Sequence, residues 1–169
     1  WAAERQGEHV PERVTGVDVT KELFKVAATH QIPVYCLGAA PGVAQRAIDN
    51  VSAQVGALNI AGIHDGFFDS AEEQEIIKSI AESKAKLVFV ALGVPKQEQW
   101  IAEKLSHLDG VVAIGIGGSF DVLAGNIPRA PEWMQQNRLE WLYRLYLEPQ
   151  RIGRMLAIPK FMWTVIRNK

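Results

Sequence analysis

The chain has one cysteine, four histidines and no initiating methionine. No apolar run approaches the length that crosses a bilayer, and nothing near the start carries the basic, apolar and cleavage regions of a secretion signal. A lone cysteine excludes an internal disulfide. Cys36 lies in the strand-like run Pro33-Val34-Tyr35-Cys36-Leu37, so a buried thiol in a reducing compartment is expected, and a soluble intracellular protein with it. His64 and Asp65 are neighbours without a third or fourth ligand at metal spacing, so no metal site is expected. No Ser/His/Asp or Cys/His arrangement, no repeat and no low-complexity stretch is present.

What is present is an ordinary globular composition, 48% hydrophobic and 22% charged over 169 residues, enough for one domain with a core. The net charge of −1 hides an uneven distribution. Positions 138–169 hold seven basic residues against Glu140 and Glu148, a net of +5 that leaves −6 for the rest. A basic tail on an acidic body points to phosphates or a membrane surface, whereas duplex nucleic acid would be repelled by most of the molecule.

The chain alternates strand-like and helix-like segments. The N-terminal Trp1-Ala2-Ala3-Glu4-Arg5 reads as the end of a helix. An amphipathic helix follows from Thr20, its candidate N-cap. Four βα units come next, with strands at Val34–Leu37, near Leu58–Ile63, at Leu87–Leu92 and at Val111–Ile114. Ser70 with Glu73 three residues on reads as a capping box, and Gln97 to Leu105 as the third helix. This alternation predicts an α/β fold, a Rossmann-like open parallel sheet with helices on both faces. The four strand C-termini would then share one edge, where such sheets bind ligands. A domain over 1–137 and a basic, aromatic helical appendage over 138–169 are expected, with Pro149 and Pro159 dividing the latter into three short helices. The last of these carries Phe161, Met162, Val165 and Ile166 at helical spacing, with Trp163 and Arg167 beside them. It reads equally as an interfacial helix and as one packed on its own domain.

Gly115-Ile116-Gly117-Gly118 looks like a dinucleotide fingerprint, but Phe120 stands where the last glycine belongs and the turn follows the last strand instead of the first. Gly117 and Gly118 then either let the backbone turn or let a ligand approach it. Asp121 is a candidate acceptor for a ribose or base, or an N-cap. Lys96 and Gln97 open a helix after Pro95, either as donors toward a ligand or as solvated first-turn residues. Asp65 is a candidate general base on the same edge.

Several motifs in order resemble one family. They are Glu12-Arg13-Val14-Thr15-Gly16, Asp65-Gly66-Phe67-Phe68, Gly93-Val94-Pro95-Lys96-Gln97-Glu98, Gly117-Gly118-Ser119-Phe120-Asp121, Arg129-Ala130-Pro131-Glu132-Trp133 and Leu139-Glu140-Trp141-Leu142-Tyr143-Arg144 with Glu148-Pro149-x-Arg151. Together they are similar to the WecG/TagA/CpsF glycosyltransferases over the whole chain. The resemblance implies inverting, metal-independent transfer of an N-acetylmannosamine-type sugar, or its uronate, from a UDP-sugar to a polyprenyl-diphosphate-linked acceptor. No cofactor is implied, UDP-sugar being a substrate. It implies Arg13 and Gln97 on the donor sugar, with Phe67, Gly117, Gly118 and Asp121 completing the donor site. Arg144, Arg151 and Arg154 would neutralise the leaving UDP. Peripheral attachment through 138–169 to the inner face of the cytoplasmic membrane is expected, and a homo-oligomer is compatible with it. Phe67 stands where the family usually has tyrosine. The family's catalytic Asp belongs to a portion preceding Trp1, so this chain alone is expected to be nearly inactive. A UDP-sugar-binding or interaction module is the alternative, and an NAD-dependent oxidoreductase rests on topology alone.

Overall fold

The runs Val34-Tyr35-Cys36-Leu37-Gly38 and Leu87-Val88-Phe89-Val90-Ala91 have no polar face, so they are stable only as strands covered on both sides. In the computed structural model both are buried along their whole length. The structure describes residues 2–9, 14–137, 139–149 and 152–167, without the side chains of Glu4, Arg154 and Met155. In chain order the elements are α1 (Ala2–Arg5), α2 (Gly16–His30), β1 (Val34–Gly38), α3 (Val43–Val55), β2 (Ile60–His64), α4 (Ser70–Glu82) and β3 (Leu87–Ala91). Then come α5 (Lys96–Trp100) with a π-helical turn over Ile101–Leu105, β4 (Val112–Gly115), α6 (Ser119–Leu123), α7 (Glu132–Gln136), α8 (Glu140–Leu147), α9 (Ile152–Met155) and α10 (Ala157–Arg167).

The chain divides into two compact units, Val14–Pro128 and Trp1–Arg13 with Arg129–Lys169. The first holds a four-stranded parallel sheet in the order β2-β1-β3-β4. Alternation along the strands splits its core in two. Val34, Cys36, Leu87 and Phe89 pack with Phe24 of α2, with Ala44, Ala47, Ile48 and Val51 of α3, and with Phe120 of α6. Tyr35, Leu37, Val88 and Val90 pack on the other face with Ile76 and Ile80 of α4 and Trp100 of α5. The Phe24 and Phe89 rings lie 4.6 Å apart. Cutting Phe89 to alanine there would cost about 3–5 kcal/mol. The fold is thus the expected α/β one, with helices on both faces of an open parallel sheet.

Several local expectations are corrected. The first long helix starts at Gly16, capped by Thr15, whose side chain accepts from the Asp18 N–H. Thr20 is buried inside it and donates its hydroxyl to the Gly16 carbonyl at 2.7 Å. The capping box lies one residue earlier than expected. Asp69 accepts from the Ala71 and Glu72 N–H groups, and Glu72 answers at the Asp69 N–H. Asp69 wins because it is the residue in extended backbone, from which its carboxylate reaches the Ala71 and Glu72 N–H groups, whereas Ser70 is already helical.

In the second unit, Pro159 does not separate helices. It lies in the first turn of α10, where its missing N–H has no intrahelical partner to lose, and the break falls at Leu156. On α10, Phe161, Met162, Trp163 and Ile166 are all exposed, and the Arg167 guanidinium stands 5.0 Å over the Trp163 ring. Among the described residues no helix is long and apolar enough to cross a membrane.

Candidate functional site

The loops after the four strands lie together at the C-terminal edge of the sheet, and hydrogen bonds lace them into one rim. Gly66 after β2 donates its N–H to the Ala39 carbonyl at 2.8 Å, and Ala39 after β1 donates to the Ala91 carbonyl at 3.0 Å. Gly117 after β4 donates to Gln97 Oε1 at 2.9 Å, at the start of α5. The first of these turns requires glycine at 38. Its φ is +118°, and a Cβ would collide with the Ala91 backbone. Chains leaving neighbouring strands part to opposite faces, β1 into α3 and β3 into α5. The order reverses between β1 and β3, the place where open α/β sheets take their ligands.

Gln97 is not the solvated first-turn residue its position suggests. Only 2% of it is exposed. Its Oε1 takes the Gly117 N–H, and its Nε2 donates to Glu98 Oε1 at 2.7 Å. Gly117 turns at φ +53°, and Gly118 caps α6 through its backbone. Asp121 is the third residue of α6 and does not cap it. Its carbonyl accepts the Asn126 and Ile127 N–H groups, and the half-buried carboxylate faces Asn126 Nδ2 at 3.4 Å. Asn126 Oδ1 in turn accepts from Arg46 of α3 at 3.2 Å, and Asn50 donates to the Leu123 carbonyl at 3.0 Å. These bonds seat α6 on α3.

The β2 loop forms the other end of the rim. Asp65 Oδ1 accepts the Phe67 N–H at 2.9 Å, which turns the loop and leaves the Phe67 ring 73% exposed. Phe68 goes inward, edge-on to His64 with centroids 6.0 Å apart and beneath the Lys96 ammonium at 5.3 Å. Ala40, Gly42, Gln45, Ile63, His64 and Asp65 border a cleft of about 250 Å³ between the β1 and β2 loops. Gln45 was not anticipated as part of this rim, because in sequence it is an ordinary helix residue.

Below the rim, Glu73 does not cap α4. It accepts the Trp100 indole N–H at 2.8 Å and pairs with Lys104 at 3.0 Å, tying α4 to α5. The Lys104 ammonium, bonded to it, holds the Glu73 carboxyl below the usual carboxylate range. Backbone N–H groups of Glu72 and Ala71 do the same for Asp69. Burial pushes the Cys36 thiol far up, as suits an inert core cysteine.

The structure therefore brings Gln97, Gly117 and Gly118 together, with Asp121 one turn on, and sets Phe67 on the same edge. β2 and β4 are the outer strands of the four, about 14 Å apart at the usual spacing. Arg144 belongs to the other unit. Its Nε pairs with Glu148 at 3.3 Å, and its buried Nη2 has no hydrogen-bond partner. Arg13, Arg151 and the Arg154 side chain lie outside the described residues.

Comparison with known proteins gives the chain's relatives. A protein of Bacillus subtilis strain 168, named N-acetylglucosaminyldiphosphoundecaprenol N-acetyl-beta-D-mannosaminyltransferase, is 41% identical over 157 residues, covering 93% of this chain and 60% of its own. A protein of the same name from Staphylococcus aureus strain NCTC 8325 is 32% identical over 168 residues, covering 99% of this chain and 65% of its own. The chain thus spans somewhat under two thirds of the length of these relatives. Residues 1–169 match throughout the profile described as the Glycosyl transferase WecG/TagA/CpsF family, and the chain belongs to that family.

Proposed function

We propose that the protein serves as an inverting glycosyltransferase, moving an N-acetylmannosamine-type sugar or its uronate from UDP to a polyprenyl-diphosphate-linked acceptor in cell-surface polysaccharide or teichoic acid synthesis. One observation carries the reading. The glycine backbone of 117–118 and the Asp121 carboxylate at the β4 end, and an exposed aromatic at the β2 end, lie along one laced rim about 14 Å wide. Only an extended ligand touches both ends, and a nucleotide sugar has that shape. The relatives' name supports the acceptor class.

In this reading Asp121 holds the ribose or base, and the Gly117-Gly118 backbone lies against the nucleotide. Phe67 and Arg13 flank the sugar, with Gln97 behind the turn. The acceptor hydroxyl attacks the anomeric carbon from the face opposite the leaving group and gives up its proton to a base. The carbon–oxygen bond to UDP breaks with its electron pair going to the diphosphate. Arg144, Arg151 and Arg154 meet that charge, which is the task a metal ion performs in other transferases, so the reaction is proposed to need none. The tail helix brings the protein to the cytoplasmic face of the membrane, where the acceptor is anchored.

Calorimetric titration with UDP, UDP-N-acetylmannosamine and NAD tests the reading. Binding of both uridine ligands that NAD does not displace is expected, and absence of uridine-nucleotide binding would refute it. In a transfer assay beside a full-length relative, this chain is expected to be far slower. Comparable turnover would place the acceptor base within residues 1–169, with Asp65 the first candidate.

A further inference from the structure

Gln97 is held more tightly than its place in the first turn of α5 needs. A backbone N–H requires an oxygen partner, so the Gly117 N–H fixes the amide's orientation, with Oε1 toward the turn and Nε2 toward Glu98. With 2% of its surface exposed, the side chain is enclosed. Room for it comes from Gly115. A Cβ at that position would stand 2.5 Å from Gln97 Nε2, 2.9 Å from Cδ and 3.0 Å from Cγ. Gly115 lies in strand β4 without a positive φ, so its backbone does not demand glycine. The space taken by Gln97 does.

The segment that follows needs such an anchor. Gly117 and Gly118 have wide backbone freedom, and the turn they form leads directly into α6 and Asp121. Ser119 bonds back to the Ile116 carbonyl through both its N–H and its hydroxyl, and the Ile116 N–H holds the start of the turn to the Val90 carbonyl at 2.9 Å. Among the described residues, the side-chain bond that joins this turn to another element is the one from Gly117 to Gln97. We infer that Gln97 is a positioning residue. It clamps the Gly115–Ser119 turn to the start of α5 and acts on the nucleotide through that turn. This rests on the nucleotide-sugar reading above, and it gives the first glycine of the motif a role distinct from the other two.

The test uses the whole 169-residue chain and three variants. Gln97→Met keeps the shape and removes the acceptor. Gly115→Ala removes no polar group and displaces the side chain. Gln97→Glu, made together with Glu98→Gln so that an amide still donates to it, keeps an oxygen for the Gly117 N–H. Amide hydrogen exchange at 117–119 without ligand is read first, then the affinities for UDP and for UDP-N-acetylmannosamine. Gln97→Met and Gly115→Ala are expected to lose protection at 117–119 and to weaken both ligands by the same factor, about tenfold. Gln97→Glu with Glu98→Gln should keep the protection.

If Gln97→Met weakens only the UDP-sugar and leaves exchange and UDP binding unchanged, Gln97 is a direct sugar contact and the inference falls. It falls too if Gly115→Ala changes neither readout. Should Gln97→Met lose protection across β3 as well, it has unfolded, and Gly115→Ala and the Gln97→Glu, Glu98→Gln double variant carry the comparison. A wild-type chain that binds neither ligand overturns the nucleotide reading itself. Exchange at Gly117 then decides the clamp alone.

Discussion

Trp100 donates its indole N–H to the Glu73 carboxylate at 2.8 Å, joining α5 to α4 beneath the rim of the site. Lys104, one turn further along, pairs with the same carboxylate at 3.0 Å. The Lys104 hydrogen bond is the main reason that the Glu73 carboxyl is held low, with Trp100 adding to it. A carboxyl whose folded value is depressed stabilises the fold fully above the unfolded carboxylate range, near pH 4.3, and loses that contribution as pH falls through the folded value. Glu73→Gln should therefore lower stability at pH 7, by less than about 1 kcal/mol for a partly exposed pair. The gap to the parent should shrink on acidification below about pH 4. Urea unfolding at pH 7 and pH 3, followed by tryptophan fluorescence, measures both. A gap independent of pH would mean that the Glu73 charge contributes nothing.

Gly38 ends β1 at φ +118° with the Ala91 backbone against the place of a Cβ. Gly38→Ala meets both penalties, and a loss of about 2–4 kcal/mol is expected in denaturant unfolding. A change under half a kcal/mol would show that the β1 and β3 ends relax apart freely.

Phe67 is exposed at the β2 end of the rim, so a para hydroxyl needs no repacking there. Under the proposed function, Phe67→Tyr should tighten UDP-sugar about 3- to 10-fold, as one added hydrogen bond does, and leave UDP unchanged. Equal changes in both ligands would move the hydroxyl's partner from the sugar to the nucleotide.

Phe161, Met162, Trp163 and Ile166 are exposed on α10, an eleven-residue helix with Lys160 and Arg167 beside them. Flotation with anionic liposomes should fall several-fold when Phe161 and Trp163 become serine, and almost vanish when the chain stops at Asn137. High salt should release the full chain in part, because the basic residues supply part of the attraction. Flotation equal in all three chains would leave α10 no role at the membrane.

The four strands and the two faces of helices were legible because β1 and β3 are continuous apolar runs and the intervening helices carry periodic stripes. The motifs, taken in order, were enough to place the family. Caps were displaced by a residue or more, since Thr15 and Thr20, or Asp69 and Ser70, compete for one helix start and only backbone geometry separates them. Gln45 gave no signal, because a polar helix residue becomes part of a rim only when another strand's loop is brought beside it.

For the Gly-x-Gly-Gly turn, the order of residues determined that a strand would end in a glycine-rich turn with Asp121 just beyond it. Tertiary structure decided what each glycine is for. Gly115 lies in β4 without a positive φ and makes room for a side chain eighteen positions earlier, while Gly117 turns at φ +53° and gives its N–H to that same side chain. Gln97 reads as a surface residue from local spacing and is buried because parallel pairing of β3 with β4 sets the start of α5 against the turn. Local chemistry sets propensity, but which polar group is enclosed depends on neighbours distant in sequence.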